Sequence, residues 1–125
     1  RFVIRQPEAG SYLLLEQLLK GAGASLADLN IPLPPARSEP ALALMGQVGK
    51  ADVGLGIAAA ARQFRLGFIP LHQERYDLVV ERRDYFEPAF QKLLAFVRSQ
   101  RFIERAAELG GYKLAELGKV IYNGP

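Results

Sequence analysis

Two hydrophobic spacings alternate along this chain. Phe2, Val3 and Ile4 between Arg1 and Arg5 predict a strand over Phe2 to Arg5. The turn Gln6-Pro7-Glu8-Ala9-Gly10-Ser11 follows, with Ser11 as the expected cap of a helix. Leu14, Leu15, Leu18, Leu19 and Ala22 fall on one face of that helix, and Gly21 and Gly23 end it. Asn30 to Arg37 holds Pro32, Pro34 and Pro35, which excludes a helix and suits an extended edge segment. Ser38 predicts an N-cap, with Glu39 and Pro40 in the first turn where both are tolerated. That helix runs through Ala41, Leu42, Leu44, Met45 and Val48 and stops near Gly49. Ala51 to Leu55 predicts a short strand, and Ile57 to Phe64 an alanine-rich helix closed by Gly67.

The second half starts with two predicted strands, Phe68 to Leu71 and Arg75 to Glu81. The latter alternates Tyr76, Leu78 and Val80 with Asp77, Val79 and Glu81. Asp84 with Glu87 resembles a capping box, ahead of a helix with Phe86, Phe90, Leu93, Leu94 and Val97 as its buried stripe. Ser99 predicts the cap of a last helix burying Phe102, Ile103, Ala106 and Leu109, and Gly110-Gly111 is its stop. Val120-Ile121 suggests one more strand. This alternation predicts an α/β fold with a largely parallel sheet. The doubled strand and the final helix pair break it, as a crossing between two lobes would.

Composition sharpens this reading. Half of the 125 residues are hydrophobic and 23% are charged, which fits a folded globular domain. A start inside a strand leads us to expect further elements before Arg1. The absence of cysteine excludes disulfides, a thiolate nucleophile and Cys-ligated zinc. His72 is the single histidine and is expected at a strand end, so no metal site is expected. No apolar run approaches the ~20 residues of a membrane helix, and no membrane insertion is expected. The net charge is +3, but the arginines are dispersed as Arg62 and Arg65, Arg82 and Arg83, then Arg98, Arg101 and Arg105. Such faces are solvated and form no phosphate-tracking stripe. Nucleic acid would be met only through a domain outside this chain.

Two segments invite a chemical reading. Gly54-Leu55-Gly56-Ile57-Ala58-Ala59 matches G-x-G-x-x-A after a strand. The acid required about 20 residues later falls on His72, Gln73 or Glu74, between two strands, so a tight strand-to-helix turn is the better reading. The pairs Glu74 and Asp77, and Glu81 and Asp84, have no spacing that demands acid–base work. No catalytic residue and no cofactor is expected. Arg5 to Tyr12 is more informative. A strand end, a glycine turn and a helix start present free N–H groups and a positive dipole end, the chemistry of an anion site. Ser11 adds a hydroxyl and Arg5 or Gln6 a side-chain donor, whereas Glu8 would repel an anion.

Several stretches together resemble the type II periplasmic-binding-protein-like domain, of the kind that binds molybdate or tungstate or is fused to helix-turn-helix regulators. They are Arg1-Phe2-Val3-Ile4-Arg5-Gln6 before a Gly-Ser turn, Gly49 to Ile57, Phe68-Ile69-Pro70-Leu71 with Glu74 to Val80, Ser99 to Phe102, and Leu109 to Tyr112. Where relatives carry Gly-Ser-Gly-Thr and a basic residue, this chain has Glu8-Ala9-Gly10-Ser11-Tyr12. The resemblance implies that residues 1–125 are a partial substrate-binding-protein-like domain. About 1–70 would be a second lobe and about 71–125 the return into the first. It implies ligand-binding residues Arg5, Gln6, Gly10, Ser11 and Tyr12. The expected function is small-ligand or oxyanion sensing in a cytoplasmic bacterial regulator. The alternative is the periplasmic solute-binding component of an ABC-type molybdate or tungstate transporter. A nucleotide-dependent enzyme using Gly54 and Gly56, and a ligand-free oligomerisation module, are the remaining readings. A strand edge left uncovered leads us to expect a homodimer.

Overall fold

The computed structural model describes residues 1–124 and divides into two compact units, Arg1–Ile69 and a second from Pro70 onward. The first unit contains β1 (Phe2–Val3), α1 (Gly10–Gly21), a 3₁₀ turn (Leu26–Asp28), α2 (Glu39–Gln47), β2 (Val53–Gly54) and α3 (Ala58–Gln63). β1 and β2 pair in parallel, Phe2 opposite Val53 and Val3 opposite Gly54. On its other side β1 meets the proline-rich segment. Phe2 N–H donates to Asn30 O (2.7 Å), Ala36 N–H to Ile4 O (2.8 Å), and Arg5 bridges Ala36 in parallel. Pro32, Pro34 and Pro35 therefore lie on an edge, where a missing N–H breaks no ladder. The regular strand is shorter than the expected Phe2 to Arg5, but its hydrogen bonding continues to Gln6, whose N–H donates to Ala36 O at 3.3 Å.

Val3, Ala36, Leu42 and Ala51 form the core, with Leu33, Ala41 and Met45 against them. Val3 is 2% exposed. Its neighbour across the ladder has to be glycine. A Cβ on Gly54 would lie 2.8 Å from Val3 Cγ1 and 2.9 Å from Val3 O. α2 buries Leu42 and Ala43, and α3 buries Ala59, Ala60 and Ala61.

The ends of α1, α2 and α3 share one device. Each closes with an N–H reaching back five residues: Ala24 to Leu19 O (2.9 Å), Lys50 to Met45 O (2.9 Å) and Leu66 to Ala61 O (2.8 Å). The residue before that donor is left-handed, and it is Gly23, Gly49 and Arg65 in turn. The expected stop at Gly67 is thus preempted two residues earlier by Arg65, with φ 56°. Ser38 caps α2 as expected, its Oγ accepting from Ala41 N–H at 3.1 Å.

The second unit contains α4 (Arg82–Tyr85), α5 (Pro88–Val97) and α6 (Gln100–Leu109). Ser99 caps α6, accepting from Phe102 N–H at 3.3 Å, and Gly110 and Gly111 both take positive φ beyond it. α4 and α5 are entered through Glu81 and Glu87, not through a box headed by Asp84. Phe68 to Leu71, Arg75 to Glu81 and Val120-Ile121 form no strand. An alternating pattern makes a strand only where a second chain segment supplies N–H and C=O groups. Among the described residues, no backbone group between 67 and 80 bonds another. Side chains hold the segment instead: Arg75 pairs with Asp77 (3.0 Å) and Glu116 (3.8 Å), and Lys113 donates to Gln73 (2.8 Å). Tyr76 is 97% and Val79 99% exposed. Leu94 is the one buried hydrophobic residue among those described in this unit, and Phe86 and Leu93 of the expected stripe stay exposed.

Two substitutions test these constraints by urea denaturation. Arg65→Gly relieves a left-handed non-glycine residue and is expected to raise stability by about 1 kcal/mol; a loss would show that the closing turn is not strained. Gly54→Ala forces a methyl into Val3 and is expected to lower stability by about 1–3 kcal/mol, whereas an unchanged midpoint would mean that the strands separate freely.

Candidate ligand-binding site

The end of β1 and the start of α1 are joined by a tight turn in which Ala9 N–H donates to Gln6 O at 3.0 Å. Ala9 is the N-cap of α1, in extended conformation and without a side-chain cap. Ser11, expected to be that cap, is instead the second residue of the helix. The turn closes on Ala9 through backbone bonds, because Tyr12 N–H (3.0 Å) and Leu13 N–H (3.3 Å) both donate to Ala9 O. Gly10 and Ser11 N–H find no backbone acceptor among the described residues. Gly10 is exposed, with open space where a side chain would be. The Ser11 hydroxyl oxygen is fully buried and has no hydrogen-bond partner.

Arg5 and Gln6 are placed differently. The Arg5 side chain is only 13% exposed and is ion-paired through Nη1 with Glu39 Oε1. Arg5 Nε donates to Gln6 Oε1 and to Ala36 O, each at 3.2 Å. Glu39 Oε2 accepts from Ile57 N–H at 3.3 Å, just ahead of α3. A Cβ on Gly56 would lie 3.1 Å from the same oxygen, so the second glycine of the Gly54-x-Gly56 pair clears space for this carboxylate. One cluster thus joins β1, α2 and the β2–α3 turn. Glu39 is the residue that the sequence reading missed. It was accounted for locally, as an acid in a helix's first turn, and nothing in its neighbours pointed to Arg5, 34 positions away.

Glu8 is exposed on the turn. At the other end of β1, hydrogen bonds from the Arg1 guanidinium (2.8 and 3.2 Å) hold the Asp52 carboxyl well below the usual carboxylate range. In the second unit an open groove along α6, lined by Phe96, Phe102 and charged residues, is bordered by the Arg105–Glu108 pair at 3.0 Å. Among the described residues no group of His, Cys, Asp and Glu side chains could hold a metal ion. No helix among them is long and apolar enough to cross a membrane.

Sequence comparison agrees with a binding domain. The PBP superfamily domain family matches residues 1–98, and the chain belongs to it: it is a periplasmic-binding-protein-like domain. Over 74 residues it is 38% identical to an uncharacterized protein encoded in the 5′ region of a 2Fe-2S ferredoxin gene of Clostridium pasteurianum, covering 58% of this chain and 66% of that protein. Over 121 residues it is 30% identical to the uncharacterized protein YvgK of Bacillus subtilis, covering 97% of this chain and 39% of YvgK. The chain thus spans about two-thirds and two-fifths of these relatives. No solved structure matches it at the same stringency. At the level of the family such domains are binding proteins, which is consistent with a small-molecule partner.

Proposed function

We propose that this chain is the small-ligand-sensing part of a bacterial regulatory protein, and that it takes an oxyanion, molybdate being the leading candidate, at the first turn of α1. Family membership supports binding over catalysis, and both relatives come from bacteria. The observation that carries the reading is the Ser11 hydroxyl, buried without a partner. Leaving such a group unsatisfied costs about 1–3 kcal/mol. A χ1 rotation toward the turn would let it donate to an oxygen of a bound anion, beside the N–H groups of Gly10 and Ser11 and the positive end of the helix dipole. In this reading residues of about 1–70 form one lobe and those of about 71–125 return to another. Contact with nucleic acid belongs to a domain outside these residues. A solute-binding component of a molybdate or tungstate transporter would use the same site. The two differ in compartment, cytoplasmic for the regulator and periplasmic for the transporter, and fractionating cells that make the full-length protein separates them.

Calorimetric titration with molybdate, tungstate, sulfate and phosphate tests the site. We expect Ser11→Ala to weaken anion binding by roughly 1–3 kcal/mol, the worth of a hydrogen bond to a charged group. The same change is expected to stabilise the unliganded protein, because it removes a buried unsatisfied oxygen. Opposite signs in binding and stability identify a ligand hydroxyl. Absence of binding by all four anions would overturn the oxyanion reading.

The homodimer is likewise a proposal. Leu71, Tyr76, Leu78 and Val79 are exposed on a segment whose backbone groups are unpaired, a surface that recruits other chains. Light scattering is expected to show a dimer at micromolar concentration. A monomer throughout that range would remove the proposal.

A further inference from the structure

We infer that Glu39 is a built-in competitor for Arg5, and that its carboxylate limits the affinity of the domain for oxyanions. The inference rests on an anion being held at the first turn of α1. Its own warrant is the cluster at the end of β1, which holds a guanidinium and a carboxylate, 13% and 21% exposed, in direct contact.

Glu39 offers what an oxyanion would offer: a negative charge and two acceptor oxygens. Both oxygens are engaged. One receives Arg5 Nη1 and the other receives Ile57 N–H at 3.3 Å. Arg5 in turn spends its Nε on Gln6 Oε1 and Ala36 O. The strongest donor near the α1 turn is therefore already matched to an internal anion, in partly buried surroundings where such pairs interact more strongly than in water. One tight turn, closed by Ala9 N–H on Gln6 O, separates this pair from Gly10 and Ser11. An arriving anion meets a neutralised arginine, a like charge on Glu39, and a further one on exposed Glu8. Like charges at close range oppose each other's ionised state. The site admits an anion, but without the benefit of its own cation.

Glu39→Gln tests this with little change of shape. The amide keeps an acceptor for Ile57 N–H or for Arg5, but it no longer cancels the arginine's charge. Molybdate, sulfate and phosphate would be titrated into the full-length wild-type protein, Glu39→Gln, Ser11→Ala, and the double variant Arg5→Gln with Glu39→Gln. A thermal melt of each verifies folding. We expect Glu39→Gln to bind at least one of these anions tenfold or more tightly than wild type, and the double variant to lose that gain. Suppose wild type binds and Ser11→Ala weakens it, while folded Glu39→Gln binds equally or less tightly. The inference is then wrong and the α1 site stands. If neither wild type nor Glu39→Gln binds any of the anions, both fail. If Glu39→Gln does not fold, Glu39→Ala, which removes the carboxylate, replaces it. A gain in affinity there supports the competition, and no gain overturns it.

Discussion

The close approach of Val3 to Gly54 is the constraint on which the first unit depends. The two residues face each other across a ladder only two residues long, and the contact leaves no room for a methyl group. With the strands that close, β2 emerges beside β1 and the turn into α3 is delivered next to the first residue of α2. Leu42 also packs against this spot, since its Cδ2 would lie 3.1 Å from a Cβ on Gly54. A short sheet thus sets where three helix starts lie, although most of the unit's buried residues come from helices and the proline-rich segment.

What could be read from the sequence divides along the distance over which each interaction acts. Caps and stops are local, and Ser38, Ser99, Gly23, Gly49 and Gly110 were legible because each acts on residues within one turn. The proline-rich segment was legible too, because three prolines exclude every other use. Strands at Phe68 to Leu71 and Arg75 to Glu81 were not, since alternation records only that one face is apolar and says nothing of a hydrogen-bonding partner. Ser11 was misread for a subtler reason. Its residue type suits a cap, but the turn closes two residues earlier on Ala9, and the hydroxyl is carried into the first turn. The strand–turn–helix arrangement around Gly10 was therefore legible, and the wiring of its side chains was not. Glu39 has a sufficient local explanation, and its contact with Arg5 exists only in the folded chain.

The two halves of that site are satisfied to different degrees. At α1 a buried hydroxyl and two N–H groups lack acceptors. At the end of β1 a guanidinium already has its charge matched by an internal carboxylate. A domain that binds by relieving such a deficit can be occupied or empty without rearranging its core, because the groups concerned lie at element ends and not among Val3, Ala36, Leu42 and Ala51.

The parallel pairing of β1 with β2 also has a kinetic meaning. Its partners are far apart in the chain, Arg1 and Asp52 being separated by 51 positions, whereas the turns that close α1, α2 and α3 each span five. Loop closure has to be accomplished before a distant contact contributes anything, so chains rich in such contacts fold slowly. The helices with their caps can form while the chain ends are still apart. On that ground the sheet, with its tight contact between Val3 and Gly54, is expected to assemble after the helices.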